Sequence, residues 1–282
     1  MTSYGMKKLE RGHAGEYGIR QMDQIILAAL TIEAAALNNL SPEIRLEAAK
    51  EIIYGQSFQL DWPYEKAGKP AFGRLGLQHK IINYEPITGE MAHDDEISLN
   101  TQCGSQWDGF MHYADQKIRS YYNGLQHTDD VALRPEAHGV HYWCKQGIVG
   151  RGVLLDWPRW LEATGQAPIS PITSHSITVQ DLQSIAAYQG LEFHFGDILI
   201  IRTGFIAWFE AATAPDKAEV FAKISFSGVQ QGEETERWLW DTGFSAVAGD
   251  AAILRQKVAL CSTSGFFHMR GYRSVSYGTW NH

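Results

Sequence analysis

The stretch Asp197-Ile-Leu-Ile-Ile-Arg202 predicts the centre of the fold. An unbroken run of aliphatic, mostly β-branched residues is typical of a strand that is buried on both faces of a parallel sheet. On its N-terminal side, residues 178–190 predict a helix with Thr178 as N-cap, and residues 153–156 predict another strand. On its C-terminal side, Glu233–Thr242 predicts a helix and Ala246–Gly249 a further strand. The alternation of strands and helices favours the α/β class.

The N-terminal part reads as mainly helical. An apolar stretch without Gly or Pro predicts a helix over residues 22–37. Ser41 followed by Pro42 predicts a second helix start, with the helix running to residue 53 and stopping at Gly55. The remaining predictions here are a strand over residues 57–60, an irregular loop over residues 62–76 and a strand over residues 79–83.

Composition excludes several classes of function. The chain has 24 Lys and Arg against 32 Asp and Glu, a net charge of -8, and no basic stripe, which argues against nucleic acid and anionic membranes as partners. No apolar stretch reaches the roughly 20 residues of a membrane span. The three cysteines form no CxxC pair, so neither a disulfide framework nor a cysteine zinc site is indicated. We therefore expect a reduced, cytoplasmic protein.

The segment Asn100-Thr-Gln-Cys-Gly-Ser-Gln-Trp-Asp-Gly-Phe-Met-His-Tyr113 carries the candidate chemistry. Its polar side chains follow no helical or strand period, and its glycines allow a loop that points several of them into one cavity. These side chains are Gln102, Gln106, Asp108 and His112. The residues alone leave two interpretations open, because an Asp and a His four apart also occur as a solvated pair or a cap.

Other residues near the motif have both structural and functional interpretations. Aromatic residues that would be mostly core also include candidates for binding a flat aromatic substrate, of which Trp107 and Phe110 are the favoured pair. Asp250 follows a predicted strand, where α/β proteins place their sites. Cys103 lacks an adjacent base, which disfavours a thiol nucleophile. His138 and His141 are more typical of structural histidines, and the glycines of residues 147–152 indicate a turn rather than a phosphate loop.

The motif resembles the signature of the cyclase-like family that includes kynurenine formamidase-type hydrolases and isatin hydrolases. That signature reads His-x-x-x-His-x-Asp-x-x-x-His, with Gly and Ser or Thr ahead of the second His; Gly104-Ser105, Asp108 and His112 match it. The resemblance continues in Gly147-Ile-Val-Gly-Arg-Gly-Val-Leu-Leu-Asp156 and Gly196-Asp-Ile-Leu-Ile-Ile-Arg-Thr-Gly204. It implies the swivelling β/β/α fold in one domain over residues 1–282, with residues 1–56 as a mainly helical N-terminal extension and residues 57–282 as the core.

Two departures from the family bear on the metal. In its hydrolases the two early His and the Asp bind metal and the last His is an acid/base; here Gln102 and Gln106 replace both His ligands, as in longer, fungal-type members. Two amides with Asp108 suit Mn²⁺ or Mg²⁺ better than zinc, or no metal at all, so tightly bound zinc is not expected. The family's late His and following Glu are also missing, apart from His268 as a stand-in.

The resemblance predicts a hydrolase that acts on a C–N bond (amide or formamide) or a lactone bond of a small cyclic or aromatic substrate. Asp108 would orient water or hold a metal with Gln102 and Gln106, and His112 would transfer the proton. One alternative is a metal-independent cyclase, isomerase or lyase of secondary metabolism, in which both Gln side chains bind a substrate carbonyl. Another is a catalytically silent binding protein. The many aromatic residues and the family predict a homodimer or higher homo-oligomer.

Overall fold

A computed structural model describes residues 35–68, 70, 73–114, 119–128, 139–223, 225–252 and 275–277. The strands in chain order are β1 (Gln78–Asn83), β2 (His93–Ser98), β3 (Gln106–Trp107), β4 (Gly152–Asp156), β5 (Ser176–Ile177), β6 (Ile198–Arg202), β7 (Gly228–Val229), β8 (Ala246–Gly249) and β9 (Val275–Tyr277). The α-helices are α1 (Pro42–Ala49), α2 (Glu85–Thr88), α3 (His141–Gln146), α4 (Trp157–Ala163), α5 (Val179–Gln189), α6 (Phe205–Ala211), α7 (Ala214–Lys223) and α8 (Glu233–Thr242). Short 3₁₀ helices lie at Ala35–Asn39, Tyr64–Ala67, Thr101–Cys103 and Tyr122–Gly124.

The central sheet has the strand order β3-β9-β8-β6-β4. β6 lies between β4 and β8 and is parallel to both, which confirms the predicted buried strand. β8 is parallel to β9, and β3 forms an antiparallel edge. The predicted strand–helix–strand unit is confirmed as β4, α5 and β6. Thr178 caps α5 in a complete capping box with Asp181, so both side chains satisfy backbone amides at the helix start.

Alternating side chains of β6 divide the core into two layers. On one face, Leu199 and Ile201 pack with α4, α5 and α8, including the buried Leu239 of the predicted helix. On the other face, Ile198 packs with a second cluster that contains Phe110 of the motif segment. The glycines before β4 allow this close packing: a side chain at Gly150 would meet Ile198 at 3.3 Å and Leu40 at 2.9 Å. The turn predicted for residues 147–152 is therefore structural, and it packs against β6 and the segment before α1.

The N-terminal extension corrects two predictions. Ser41 caps α1 as predicted and accepts a hydrogen bond from the Ile44 amide at 3.3 Å. The helix ends at Ala49, however, rather than at residue 53, because the residues from 49 to 53 are exposed and have no packing that would extend it. The predicted strand over residues 57–60 is wrong: these residues are exposed and pair with no other strand among the described residues. Most of the helix predicted over residues 22–37 lies outside the described residues.

The described helices include none that is long and apolar enough to cross a membrane. The strand predicted over residues 79–83 is confirmed as β1, which pairs with β2 in a separate two-stranded antiparallel sheet. The loop over residues 62–76 is irregular apart from one 3₁₀ turn, as predicted, where its residues are described. The division of the chain into one domain stays a prediction.

Candidate active site

The motif segment is held at the edge of the central sheet. The Asn100 side chain accepts a hydrogen bond from the Gln102 amide at 2.9 Å and starts a 3₁₀ turn, and the chain then enters β3. β3 pairs with β9, and a second turn brings the His112 amide to the Gly109 carbonyl at 2.9 Å. Short turns on either side of a two-residue strand allow side chains from different parts of the segment to converge.

Residues 62–64 of the preceding loop cover this segment. The Trp62 amide donates to Ser105 Oγ at 2.7 Å, and the Tyr64 hydroxyl donates to the Ser105 carbonyl at 3.3 Å. A side chain at Gly104 would meet the Tyr64 ring at 2.6 Å, so only glycine fits beneath it. The Gly104-Ser105 pair of the signature thus provides the contacts on which this loop packs.

Gln102, Gln106 and Asp108 form one polar network. Gln102 Nε2 donates to Asp108 Oδ1 at 2.6 Å, and Gln106 Nε2 lies 3.5 Å from Gln102 Oε1. The Gln106 side chain also hydrogen-bonds Asp108. Asp108 is only 8% exposed. The network therefore directs amide N–H groups, rather than amide oxygens, towards the carboxylate.

His112 lies at the solvent side of this network. Its Nε2 is 3.9 Å from Asp108 Oδ1, beyond hydrogen-bonding distance but close enough for a strong charge interaction. The side chain of His112 is 36% exposed, against 10% for that of Asp108. The structure thus brings together the four polar residues selected from the sequence, with the imidazole as the accessible member.

Burial raises the pKa of the Asp108 carboxyl above its usual value. Hydrogen bonds from Gln102 and Gln106 and the charges of His112 and Arg74 act in the opposite direction, but they do not compensate for the loss of solvation. The carboxylate is therefore a costly charge that the surrounding donors only partly stabilise. Perturbed carboxylates of this kind are concentrated at functional sites.

One acceptor in the network has no partner. Gln106 Oε1 is buried and accepts no hydrogen bond from the described residues. Its orientation is assigned from the network, because turning the amide over would place an oxygen against the Asp108 carboxylate. A buried acceptor without a donor costs about 1–3 kcal/mol, which calls for a functional explanation.

The two aromatic candidates differ in placement. Trp107 is 39% exposed and meets Trp143 edge to face, with 5.8 Å between ring centroids, so one part of its ring remains accessible. Phe110 is 1% exposed and stacks on Tyr122 at 4.3 Å within the core. This placement favours a packing role for Phe110, and its contact with substrate stays a prediction.

Asp250 does not have the role for which the sequence made it a candidate. It is 2% exposed, and its carboxylate accepts hydrogen bonds from the Thr203 amide (2.5 Å), the Thr203 hydroxyl (2.8 Å) and the Gly204 amide (2.9 Å). It fixes the chain that leaves β6. Cys103 is also buried, and burial raises the pKa of its thiol, which disfavours a thiolate nucleophile.

Sequence reasoning missed Arg74, whose charge acts on Asp108. It lies in the Gly- and Pro-rich loop, 34 positions before Asp108, where no pattern connects the two residues. It also missed the pair of Tyr121 and His127, whose hydroxyl and Nδ1 are 2.6 Å apart. Tyr121 packs in a small cluster with Met111, the residue before His112.

Few donors for a divalent metal surround Asp108 among the described residues. No group of three or more His, Cys, Asp or Glu side chains capable of holding a metal ion occurs among the described residues. Both amide nitrogens face Asp108, so its carboxylate is engaged by donors, and Gln102 Oε1 faces Gln106 Nε2. His268 lies outside the described residues. The residues present resemble an acid/base network more than a coordination shell.

Comparison with known proteins identifies the family. The sequence model of a family described as "Putative cyclase" matches residues 28–253, so the chain belongs to the cyclase family. A solved structure described as a novel cyclase is 26% identical, with a TM-score of 0.71 over 88% of this chain and 83% of that chain. Isatin hydrolase A from Ralstonia solanacearum is 12% identical, with a TM-score of 0.51 over 84% of this chain and 85% of that one, a likeness of fold alone. No curated protein sequence matches the chain.

These findings confirm the predicted resemblance and the α/β fold of the cyclase-like family. Family membership supports an enzyme. The kynurenine formamidase relationship, and the choice between hydrolysis and cyclisation, stay predictions.

Proposed function

We propose that this protein is a hydrolase that opens a C–N bond (amide or formamide) or a lactone bond in a small cyclic or aromatic substrate. The observation that carries the proposal is the buried Asp108, held by two glutamine amides, with the accessible imidazole of His112 3.9 Å away. A carboxylate behind a histidine is a common arrangement for general acid/base catalysis at neutral pH. The fold shared with isatin hydrolase A is consistent with this reaction class.

His112 takes the proton from the attacking water and returns it to the leaving nitrogen or oxygen. Its 36% side-chain exposure gives the imidazole access to both solvent and substrate. Asp108 stabilises the positive charge that the ring carries during the reaction, because opposite charges 3.9 Å apart attract each other. Proton transfer by a positioned side chain contributes typically 10²–10⁴-fold to a rate.

Gln106 gives the site a preference among substrates. Because its amide nitrogen is used on Asp108, the acceptor Oε1 is the atom left for a ligand, and it would bind an N–H or O–H donor rather than a carbonyl. Since Oε1 is buried, the substrate donor reaches it only when the Gln106 side chain shifts. This preference for a donor favours a substrate with an N–H at the scissile bond over a lactone. It differs from the expectation for the metal-independent alternative, in which both glutamines bind a substrate carbonyl. Trp107 offers its exposed ring face to an aromatic substrate.

The same hydrogen bonds favour a reaction without a tightly bound metal. Mn²⁺ or Mg²⁺ at Asp108 would have to share the carboxylate with the amide donors of Gln102 and Gln106, which already use part of its acceptor capacity. A metal-independent cyclase, isomerase or lyase of secondary metabolism is therefore the second candidate. It uses the same pair, His112 and Asp108, and differs from the first in whether water enters the product.

The test is a screen of purified protein with N-formylated arylamines, isatin and matched aryl lactones, with products identified by mass spectrometry. Uptake of one water, lost in His112→Ala and retained in His93→Ala, supports the hydrolase. His93 is a suitable control because it is exposed in β2, whose sheet is separate from the central sheet in the described residues. Products with the mass of the substrate would favour the isomerase or cyclase. Equal activity in wild type and His112→Ala would exclude both mechanisms.

A further inference from the structure

Residues 62–66, which we call the strap, connect the active-site segment with helix α6 at one edge of the central sheet. The strand register places four residues in one row across the sheet: Gln106, Tyr277, Gly249 and Ile201. Strands lie about 4.8 Å apart, so β3 and the end of β6 are separated by roughly 14 Å along this edge. Because α6 begins soon after β6 ends, the strap reaches from the active-site segment on one side to α6 on the other.

The strap holds the active-site segment at Ser105. The Trp62 amide donates to Ser105 Oγ at 2.7 Å, and the Tyr64 hydroxyl donates to the Ser105 carbonyl at 3.3 Å. That carbonyl belongs to the planar peptide that leads into Gln106, so its direction also sets the direction of the Gln106 backbone. β3 has only two residues and lies at the edge of the sheet, so its own pairing holds it weakly. The strap therefore helps to place the Gln106 side chain beside Asp108.

Helix α6 holds the other side of the strap through Glu210. The Trp62 ring is 6% exposed and meets Phe209 edge to face, with 5.2 Å between ring centroids. Its Nε1 donates to Glu210 Oε1 at 3.2 Å, and Lys66 Nζ lies 3.5 Å from the same oxygen. A hydrogen bond to a carboxylate is roughly twice as strong as a neutral one, whereas a largely exposed ion pair contributes little. The indole N–H is therefore the stronger of these two polar links.

We propose that Glu210 is a positioning residue for the active site: its carboxylate fixes the Trp62 indole, and Trp62, through Ser105, keeps Gln106 in place against Asp108. This role deepens the proposed function and rests on it for its effect on turnover. The strap has no regular structure apart from one 3₁₀ turn, so its position depends on side-chain contacts rather than on a ladder of backbone bonds. A displacement of about 1 Å at a catalytic group can cost about 10²-fold in rate, so a remote anchor can affect turnover.

Hydrogen exchange measured by mass spectrometry tests the link without a substrate. Glu210→Ala removes the acceptor, and Trp62→Phe removes the N–H donor but keeps an aromatic ring in the core. Each should raise amide exchange in residues 100–113 by about 10-fold or more, because the lost hydrogen bond makes local opening easier. Exchange in α5 should stay as in the wild type. Glu219→Ala is the matched control, because Glu219 forms an exposed ion pair with Lys223 on the next helix, α7, and it should leave both segments unchanged.

Two further variants separate this link from a general loss of packing. Glu210→Gln keeps an oxygen that accepts the indole N–H, so it should restore part of the protection that Glu210→Ala loses. Trp62→Phe combined with Glu210→Ala should exchange no faster than either single variant, because both changes remove the same hydrogen bond. With a substrate found by the screen above, Glu210→Ala should lower kcat about 10–100-fold and change KM by less than about 3-fold.

Unchanged exchange in residues 100–113 in both single variants would overturn the proposal. An equal increase in α5 would overturn it too, because Glu210 would then act through global stability. So would additive effects in the double variant, no restoration in Glu210→Gln, or a wild-type kcat in Glu210→Ala. If no substrate is turned over, the proposed function fails, and the exchange measurements still decide whether Glu210 positions the active-site segment.

Discussion

Replacing Asp108 by Asn should stabilise the fold while it removes activity. Asp108 is 8% exposed, and the loss of solvation outweighs its hydrogen bonds and neighbouring charges, so its ionised form destabilises the native state. An asparagine avoids that charge. Its carbonyl can still accept the Gln102 hydrogen bond, now made at 2.6 Å. Its amide can donate to Gln106 Oε1, which has no partner among the described residues, once the Gln106 amide turns over, because Gln106 presents its nitrogen to Asp108 in the wild type.

The expected gain in stability is estimated from Gln106 Oε1, the buried acceptor without a partner among the described residues. Supplying a donor to a buried acceptor recovers about 1–3 kcal/mol, from which the weaker, uncharged bond to Gln102 and the long Gln106–Gln102 contact given up when Gln106 turns over subtract a part. A net gain of about 1–2 kcal/mol at pH 7 raises the melting temperature by roughly 2–5 °C for a domain of this size. Turnover should fall by at least about 10²-fold, because the imidazolium of His112 loses its counter-charge.

The pH dependence of the stability difference tests whether burial of the ionised Asp108 carboxyl is its cause. A carboxyl with a raised pKa in the folded state contributes stability that is complete below its unfolded pKa, about 4, and is lost as pH rises through the folded pKa. The advantage of Asp108→Asn should therefore be largest at neutral pH and decrease as the pH approaches about 4. Chemical denaturation of the wild type, Asp108→Asn and the exposed control Asp94→Asn at several pH values measures it. If Asp108→Asn lowers the free energy of unfolding by more than about 1 kcal/mol at pH 7, the carboxylate is net stabilising and the prediction is wrong.

Three further outcomes are expected. His112→Ala should abolish turnover while changing the free energy of unfolding by less than about 1 kcal/mol, because its side chain is 36% exposed; spectroscopic unfolding beside the activity assay checks both. Protein purified without added metal should contain substoichiometric zinc by elemental analysis, and its activity should survive mild chelation or return with Mn²⁺; one tightly held zinc per chain would contradict this. Asp250→Ala should destabilise the fold by about 2–4 kcal/mol, because three donors on Thr203 and Gly204 lose their acceptor, and a cost below about 1 kcal/mol would show that solvent replaces it.

The best sequence predictions concern elements whose causes are local. The capping box at Thr178 and the Ser41-Pro42 helix start involve residues a few positions apart, so the chain shows them directly. By contrast, β2 has the sequence His-Asp-Asp-Glu-Ile-Ser, which has low strand propensity, and it forms a strand through its pairing with β1. The prediction of a strand over residues 57–60 was wrong for the opposite reason. These residues have a composition that suits a strand, but they have no partner strand among the described residues.

The same distinction between local causes and distant partners applies to the residues of the active site. The motif and the family resemblance selected Gln102, Gln106, Asp108 and His112 together, because all four lie within one short segment. The sequence could not show that the amides turn their nitrogens to Asp108, since an amide has a donor and an acceptor and only the neighbours choose between them. Nor could it connect Arg74 with Asp108, because charge acts through space.

The α/β class, the buried central strand and the cyclase-like family could be predicted from the sequence, because continuous apolar runs, caps and a short motif depend on neighbours along the chain. Three features became visible only in the folded chain: Asp250 is a structural anchor, Phe110 lies in the core, and β1 and β2 form a sheet separate from the central one. Each of these depends on which distant segment covers a residue. Burial is a property of packing, and it sets both the cost of a charge and the accessibility of a side chain.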